Sequence, residues 1–155
     1  MPTQTFNGQD QIDMGDGNEL DLYRAKDVAI DLIRGSGQQV TMRSFQDGDM
    51  ISGSKTNNLI DPMSDAQGSS SAAIVGDRMG QLQSTVQQGS NTNRILSDIY
   101  NATEVFALWV THGHEKYGGN HCMIQKAPDS PYGKSVPTRQ WTITVFDYLY
   151  DGNVQ

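Results

Sequence analysis

Period-two alternation constrains this chain more than any other feature. From Gln81 to Gln88, Leu82, Ser84, Val86 and Gln88 fall on one side of an extended strand, and Gln81, Gln83, Thr85 and Gln87 fall on the other. The second side is wholly polar. The pattern returns from Thr138 to Leu149, where Trp141, Ile143 and Val145 alternate with Gln140, Thr142 and Thr144. A strand with one dry face and one Gln/Thr face suits an antiparallel sheet that is wet on one side.

Composition agrees. The 155 residues fit one domain, with 35% hydrophobic and 19% charged residues and 16 glycines. A chain of this length buries about two thirds of the surface its unfolded form exposes. Abundant Gln, Ser, Asn, Asp and Gly disfavour long helices and favour short strands joined by loops. The net charge is 11 − 18 = −7, the wrong sign for gripping nucleic acid. An acidic wall instead repels phosphate and lets DNA slide past. Cys122 is the sole cysteine, so no disulfide forms within the chain, which suits a reducing cytoplasm. The opening Met1-Pro2-Thr3-Gln4 has no secretory pattern, and no apolar run approaches the roughly 18 residues of a membrane span. A soluble protein made in the cytoplasm is the expectation.

Along the chain, residues 1–36 read as an N-terminal arm and lead-in strand, and residues 37–155 as the β domain. Leu20, Leu22, Val28, Ile30 and Leu32 alternate, which predicts a strand around Asp27–Ile33, although a helix from Asp21 to Ile33 also fits the composition. Gly35-Ser36-Gly37 breaks the chain. Asp47-Gly48 between short apolar stretches signals a hairpin turn. Gly53 to Ser71 reads as a long polar loop, a natural place for an assembling subunit to touch a neighbour, and Ala72–Val75 as a short strand. Ser90, Asn91 or Thr92 caps a helix through Tyr100, with Ile95, Leu96, Ile99 and Tyr100 as its apolar stripe. Val105–Thr111 reads as a core strand, Gly113 to Gly119 as a turn, Asn120–Gln125 as a strand, and Thr138 to Leu149 as one closing strand.

Four motifs follow one another in order: Phe45-x-x-Gly48-Asp49; an alternating strand Gly80–Val86 leading to Ser90-x-x-Asn93; Lys126-x-Pro128-Asp129-x-x-Tyr132-Gly133-Lys134; and Arg139-x-Trp141-Thr142-x-x-Val145. The series resembles the phage tail tube family of contractile-tailed phages, over Val40 to Leu149. The resemblance implies a mainly β (α+β) fold, an antiparallel β-sandwich or half-barrel with one packed α-helix, whose copies assemble into a ring β-barrel. It implies a structural subunit and no enzyme. Stacked rings, hexameric in the family, would make the conduit for genome delivery. Partners would be other copies of the chain, the sheath, baseplate, terminator and tape measure proteins, and phage DNA in transit without specific binding; the virion tail would be its location. A tail terminator, a baseplate hub, a secretion-system tube and a virion β-sandwich binding module are the alternatives.

No residue pattern assigns catalysis, a cofactor or a metal. His112, His114, His121 and Cys122 are ligand types for zinc, but their spacing matches no standard zinc motif. Asp47, Asp49, Asp61, Asp65, Asp77 and Asp98 show no spacing that makes two of them converge. Phosphate-loop, nucleophile-elbow and dinucleotide patterns are absent from the sequence. The expected lumen-facing residues are Asp47, Asp49, Gln81, Gln83, Thr85 and Gln87. Lys126, Lys134 and Arg139 are the expected inter-subunit cations, pairing with acidic loops.

Overall fold

The computed structural model describes residues 11–13 and 19–154, with side chains placed from Leu22 onward. Its elements are β1 (Gln11–Asp13), β2 (Glu19–Asp21), β3 (Ala29–Ile33), β4 (Gln39–Thr41), β5 (Ile51–Lys55), β6 (Ile60–Ser64), β7 (Ser70–Ile74), β8 (Gly80–Gln87), α1 (Asn91–Ala102), β9 (Phe106–His112), β10 (Glu115–Ile124), β11 (Thr138–Val145) and β12 (Leu149–Asp151). A 3-10 turn at Ala25–Asp27 precedes β3. Residues 1–10 and 14–18 of the expected N-terminal arm lie outside the described residues.

The two alternating stretches lie side by side. β8 and β11 pair antiparallel along their whole length, from Thr138 opposite Gln87 to Val145 opposite Gly80. They sit in an eight-stranded sheet ordered β4-β3-β9-β10-β11-β8-β5, with β12 added beside β10. Leu82, Val86, Trp141, Ile143 and Val145 from one half of this sheet join Ile30, Leu32, Phe106, Leu108 and Val110 from the other in one buried cluster. Strands at opposite ends of an open sheet share a core only if the sheet curls. The chain is therefore a curled antiparallel half-barrel, unclosed by itself. The strand reading of Asp27–Ile33 holds in β3, whose Ile30 and Leu32 are both 1% exposed; the helix alternative fails because those residues fill one side of a two-residue repeat.

Helix α1 closes the open side of the core. The Ser90 hydroxyl caps it, accepting from the Asn93 N–H at 3.2 Å. Leu96 and Ile99 are buried against the sheet. Trp141 joins the two layers: its indole Nε1–H donates to Asn93 Oδ1 at 3.0 Å, and its ring lies 6.4 Å from that of Tyr100. The helix ends on Thr103 in the left-handed region, φ 50°.

Four sequence expectations are corrected. Asp47-Gly48 forms no hairpin, because Phe45 and Ile51 both lie along β8, opposite Val86 and Ser84; residues 46–50 bulge out between two stretches of one edge. Gly53–Ser71 is no plain loop, since it carries parts of β5, β6 and β7, and β6 pairs only with β7. Gly118 and Gly119 lie inside β10 rather than in a turn; the turn is at Gly113-His114. The closing strand is two strands, β11 and β12, split by Phe146–Tyr148. Each miss has one cause: glycine and polar residues signal irregular backbone equally well for a turn, a bulge or an exposed ribbon.

The left-handed cap at Thr103 carries a Cβ where glycine is the usual occupant. Thr103→Gly is expected to stabilise the chain by about 0.5–1 kcal/mol, a gain of about 1–4 °C in Tm, read by thermal unfolding followed by circular dichroism.

Candidate assembly interface

The sheet has one face turned away from the core, and the half of it built by β5, β8 and β11 carries no charged side chain. Gln81, Gln83, Thr85 and Gln87 form a row on β8, outward from the buried Leu82, Ser84 and Val86. Across the ladder stand Thr144, Thr142, Gln140 and Thr138 of β11, and beyond β8 stand Ser52 and Ser54 of β5. These ten side chains are Gln, Thr or Ser, so this half of the outward face has dipoles and no net charge. Toward β10 and β9 the face holds Lys116, whose ammonium lies 4.5 Å over the Trp109 ring. The alternation thus placed four expected lumen residues on one row. Asp47 and Asp49 are not on it. They occupy the exposed 46–50 loop, and Asp49 lines a groove with Val110, Tyr117, His112 and His114, on the side where Val110 is buried.

Both ends of the sheet are unpaired among the described residues. In β4, the Met42 N–H donates to Ile30 O at 2.9 Å and Gln38 O accepts from Arg34 N–H. Strand alternation then turns the Thr41 N–H away from β3, toward open solvent. In β5, the Thr56 N–H donates to Met79 O, so Gly53 and Lys55 present their backbone groups outward. Exposed edges of this kind accept another strand readily.

Two segments project beyond the sheet. The β6–β7 hairpin is exposed along both strands and carries Leu59, Ile60, Met63 and Ile74. Its turn is closed by Asp65 Oδ1, which accepts from the N–H of Gln67 and of Ser69. Asp77 fixes its base, accepting from Met79 N–H and from the Asn57 amide. Those bonds, the Met79 N–H first and Asn57 next, hold the Asp77 carboxyl below its ordinary pKa. Sequence reasoning missed these apolar residues; Leu59-Ile60 and Met63 inside a Ser/Asn/Asp stretch were the available signal.

The second segment is the β10–β11 loop, residues 125–137. Lys126 and Lys134 are exposed on it. Arg139 is not free to meet a neighbour. It is 4% exposed, its Nη1 donates to the carbonyls of Thr138 at 2.7 Å and Pro131 at 3.3 Å, and its guanidinium lies 4.9 Å from the Tyr132 ring centroid. Its position on the inward side of β11, in line with Trp141, explains the burial.

The His/Cys group does not converge. His121 points outward to Asp147, Nδ1 to Oδ2 3.0 Å, while the adjacent Cys122 points into the core, where burial pushes its thiol up to about 12. His112 packs edge-on against Tyr23, and His114 Nδ1 is 2.8 Å from Val154 O. Among the described residues no group of three or more His, Cys, Asp or Glu is arranged to hold a metal, and no helix is long and apolar enough to cross a membrane.

Asp147 does structural work at the bend of β10. Its carboxylate accepts from the N–H of His121 at 3.0 Å and of Asn120 at 3.3 Å. Burial raises its pKa, but the His121 ring and the two N–H groups outweigh burial and hold it below the ordinary 3.8. A carboxylate depressed in the folded state contributes stability above its unfolded pKa and loses it as pH falls through the folded value. Asp147→Asn is therefore expected to be less stable than wild type at pH 7, and to lose less stability than wild type below about pH 4, as read by urea unfolding across that range.

No family model matches the chain, and no curated protein matches its sequence. Solved structures do match its fold. The tail of an empty gene transfer agent particle, refined with C6 symmetry, is 17% identical, with TM-score 0.57, covering 80% of this chain and 94% of that one. The SPP1 tail tube is 13% identical, with TM-score 0.51 and coverage of 86% and 81%. The tube-terminating cap of the anti-feeding prophage is 12% identical, with TM-score 0.54 and coverage of 88% and 96%. At these identities the likeness is one of fold: a phage tail tube fold.

Proposed function

We propose that this chain is the repeating subunit of a tail tube. The observation that carries the proposal is the uncharged Gln/Thr/Ser face of β5, β8 and β11, set in a sheet whose two edges are open and whose fold is that of tail tube structures. Copies would join edge to edge through β4 and β5 into a ring, with the polar face toward the lumen, as polar interiors line wide barrels. The β5, β8 and β11 part of such a wall offers DNA no fixed positive charge to hold it; farther along the same face Lys116 is accompanied by Asp31 and Asp151. Gln81, Gln83, Thr85 and Gln87 are the lumen residues in this arrangement. Asp47 and Asp49, on the loop beside the β5 edge and on the core side of the sheet, would lie off the lumen, near the joint between copies. Rings of six follow the symmetry of the gene transfer agent tail.

The other partners are the proteins that flank a tube: sheath, baseplate, terminator and tape measure. Genome passage is the use of the conduit, the virion tail its place, and catalysis has no part in it. A second reading, a ring that ends the tube, is favoured by the fold match to the anti-feeding prophage cap. Self-stacking separates the two, since a terminator forms rings that do not stack with themselves.

The test is negative-stain electron microscopy beside solution mass. Rings with a central hole, stacking into hollow tubes at high concentration, are expected. A chain that stays monomeric at every salt and concentration rejects the proposal. Thr41→Pro sharpens the test. It removes an outward edge donor while the inward Met42–Ile30 bond stays. The expected result is a folded monomer with unchanged circular dichroism and no rings; rings as abundant as wild type would show that the β4 edge is not the joint.

A further inference from the structure

We infer that the groove beside the β5 edge is a binding site for a small organic cation, an ammonium group carried on an apolar body. The site is complete within one chain, so the inference does not depend on the tubular assembly.

Three stretches distant in sequence build most of the groove. The approach to β3 supplies Leu22, Tyr23 and Val28, and the end of the 46–50 loop supplies Asp49 and Met50 beside Ile51 of β5. The β9–β10 turn closes it from His112 to Glu115. They enclose a cleft of about 760 Å³, within the range of small-ligand sites. Its floor is apolar: Val110 is buried, and Val28, Ile51 and Tyr117 pack against the core cluster. An apolar floor left open to water gains by being covered.

The charged groups of the groove carry one sign. Its lining includes Asp49 and Glu115 and no Lys or Arg. The Asp49 carboxylate makes no hydrogen bond or ion pair among the described residues; only its backbone carbonyl is engaged, accepting from the Gln46 side-chain amide at 3.1 Å. Glu115 accepts from the Tyr150 hydroxyl at 3.4 Å through one oxygen, and the other is open. The chain as a whole, at net charge −7, adds a field of the same sign. His112 and His114 are already engaged, the first with Tyr23 and the second with the Val154 carbonyl.

Two aromatic rings complete the site. Tyr23 is 68% exposed, and His112 braces its ring edge-on, 5.4 Å between centroids. The ring is thus set before a ligand arrives, which lowers the ordering cost of contact. Tyr117 is the second. Burial first, then Tyr148 and Glu115, push its phenol up to about 12, so it stays a neutral donor, and its hydroxyl makes no hydrogen bond among the described residues. Aromatic faces attract cations, more strongly where water is displaced. A neutral ligand would use the floor alone, and an anion would meet both carboxylates. The class that uses floor, rings and carboxylates together is an amphiphilic cation.

Isothermal titration calorimetry of the full-length chain with 2-phenylethylammonium tests this. A Kd of roughly 1 mM or tighter is expected for so small a ligand. Two further probes divide its features: 2-phenylethanol has the body without the charge, and methylammonium the charge without the body. Each is expected to bind about fivefold more weakly or worse. Asp49→Asn and Glu115→Gln are each expected to weaken 2-phenylethylammonium by about two- to fivefold. Tyr23→Ala is expected to do the same, with Tyr23→Phe near wild type because the ring face remains. Asp61→Asn, a carboxylate outside the groove, is expected to change nothing. Circular dichroism of each variant separates loss of the site from loss of the fold. Absence of binding to wild type overturns the inference, as do groove variants that bind like wild type. Equal binding of 2-phenylethanol would overturn it in favour of a plain apolar cleft. Equal binding of methylammonium, or an Asp61→Asn effect as large as that of Asp49→Asn, would overturn it in favour of unspecific attraction to an acidic surface.

Discussion

The bend in β10 is the constraint on which the rest of the structure depends. Between Gly119 and Cys122 the strand takes one residue more than β9 opposite it, moving from Gly119 opposite Leu108 to Cys122 opposite Phe106. Gly118 sits at φ +136° with the Leu108 carbonyl where a side chain would be, and a Cβ on Gly119 would meet Val145 and Asp147. Neither position has room for a larger residue. The bulge divides β10 into two halves. The first pairs with β12 and the second with β11, so that β11 and β12 form one kinked strand along it. Bulges bend and twist a sheet, and here the bend lets residues from β3 and β8 meet in one core. The Asp147 carboxylate locks the corner by taking up the N–H groups that the bulge leaves without ladder partners.

A sheet curled this way can be covered by one helix. α1 supplies Leu96 and Ile99, Trp141 reaches up to Asn93, and the Arg34–Glu104 ion pair, Nε to Oε2 3.0 Å, ties the β3–β4 turn to the segment just after the helix. The same curl leaves what a monomer has no use for: a polar sheet face, two unpaired edges, and a ribbon with an apolar side. In a soluble monomer each would be a liability. In the ring proposed for the chain, the polar face and the two edges are the surfaces that further copies would close.

How much of this was legible in the sequence depended on the physics of each element. Alternation placed β8 and β11 correctly, and with them the row Gln81 to Gln87, because one buried face forces a two-residue period. The helix was visible because Ser90, the Ile95–Tyr100 stripe and the end near Thr103 agree. Of the β6–β7 hairpin only the end of β7 was visible, as the short strand Ala72–Val75; β6 and the start of β7 were read as loop. A strand with no buried face has no period to betray it, and Ser70, Ser71, Ala72 and Ala73 carry little β signal. Glycine misled in both directions: at Gly48 it suggested a hairpin where the edge strand merely bulges out, and at Gly118 a turn where a strand bends. Arg139 looked like a surface cation because charge predicts exposure; its alternation with Gln140 and its line with Trp141 pointed inward, and that periodicity was the better guide.

The buried Arg139 and the exposed hairpin are two sides of one economy of contacts. Inside the chain, charge is neutralised by geometry: Arg139 satisfies two carbonyls and an aromatic face, and no partner is needed. At the hairpin the acidic residues are held by its own turn and base, Asp65 by the Gln67 and Ser69 N–H groups and Asp77 by Met79 and Asn57, while the apolar side chains of Ile60, Met63 and Ile74 stay exposed. An element with no packing in the folded monomer takes its stability from whatever binds it, by mass action. The sheet core, by contrast, is complete within one chain, with Leu82, Val86, Ile143 and Val145 fully buried whatever the hairpin does.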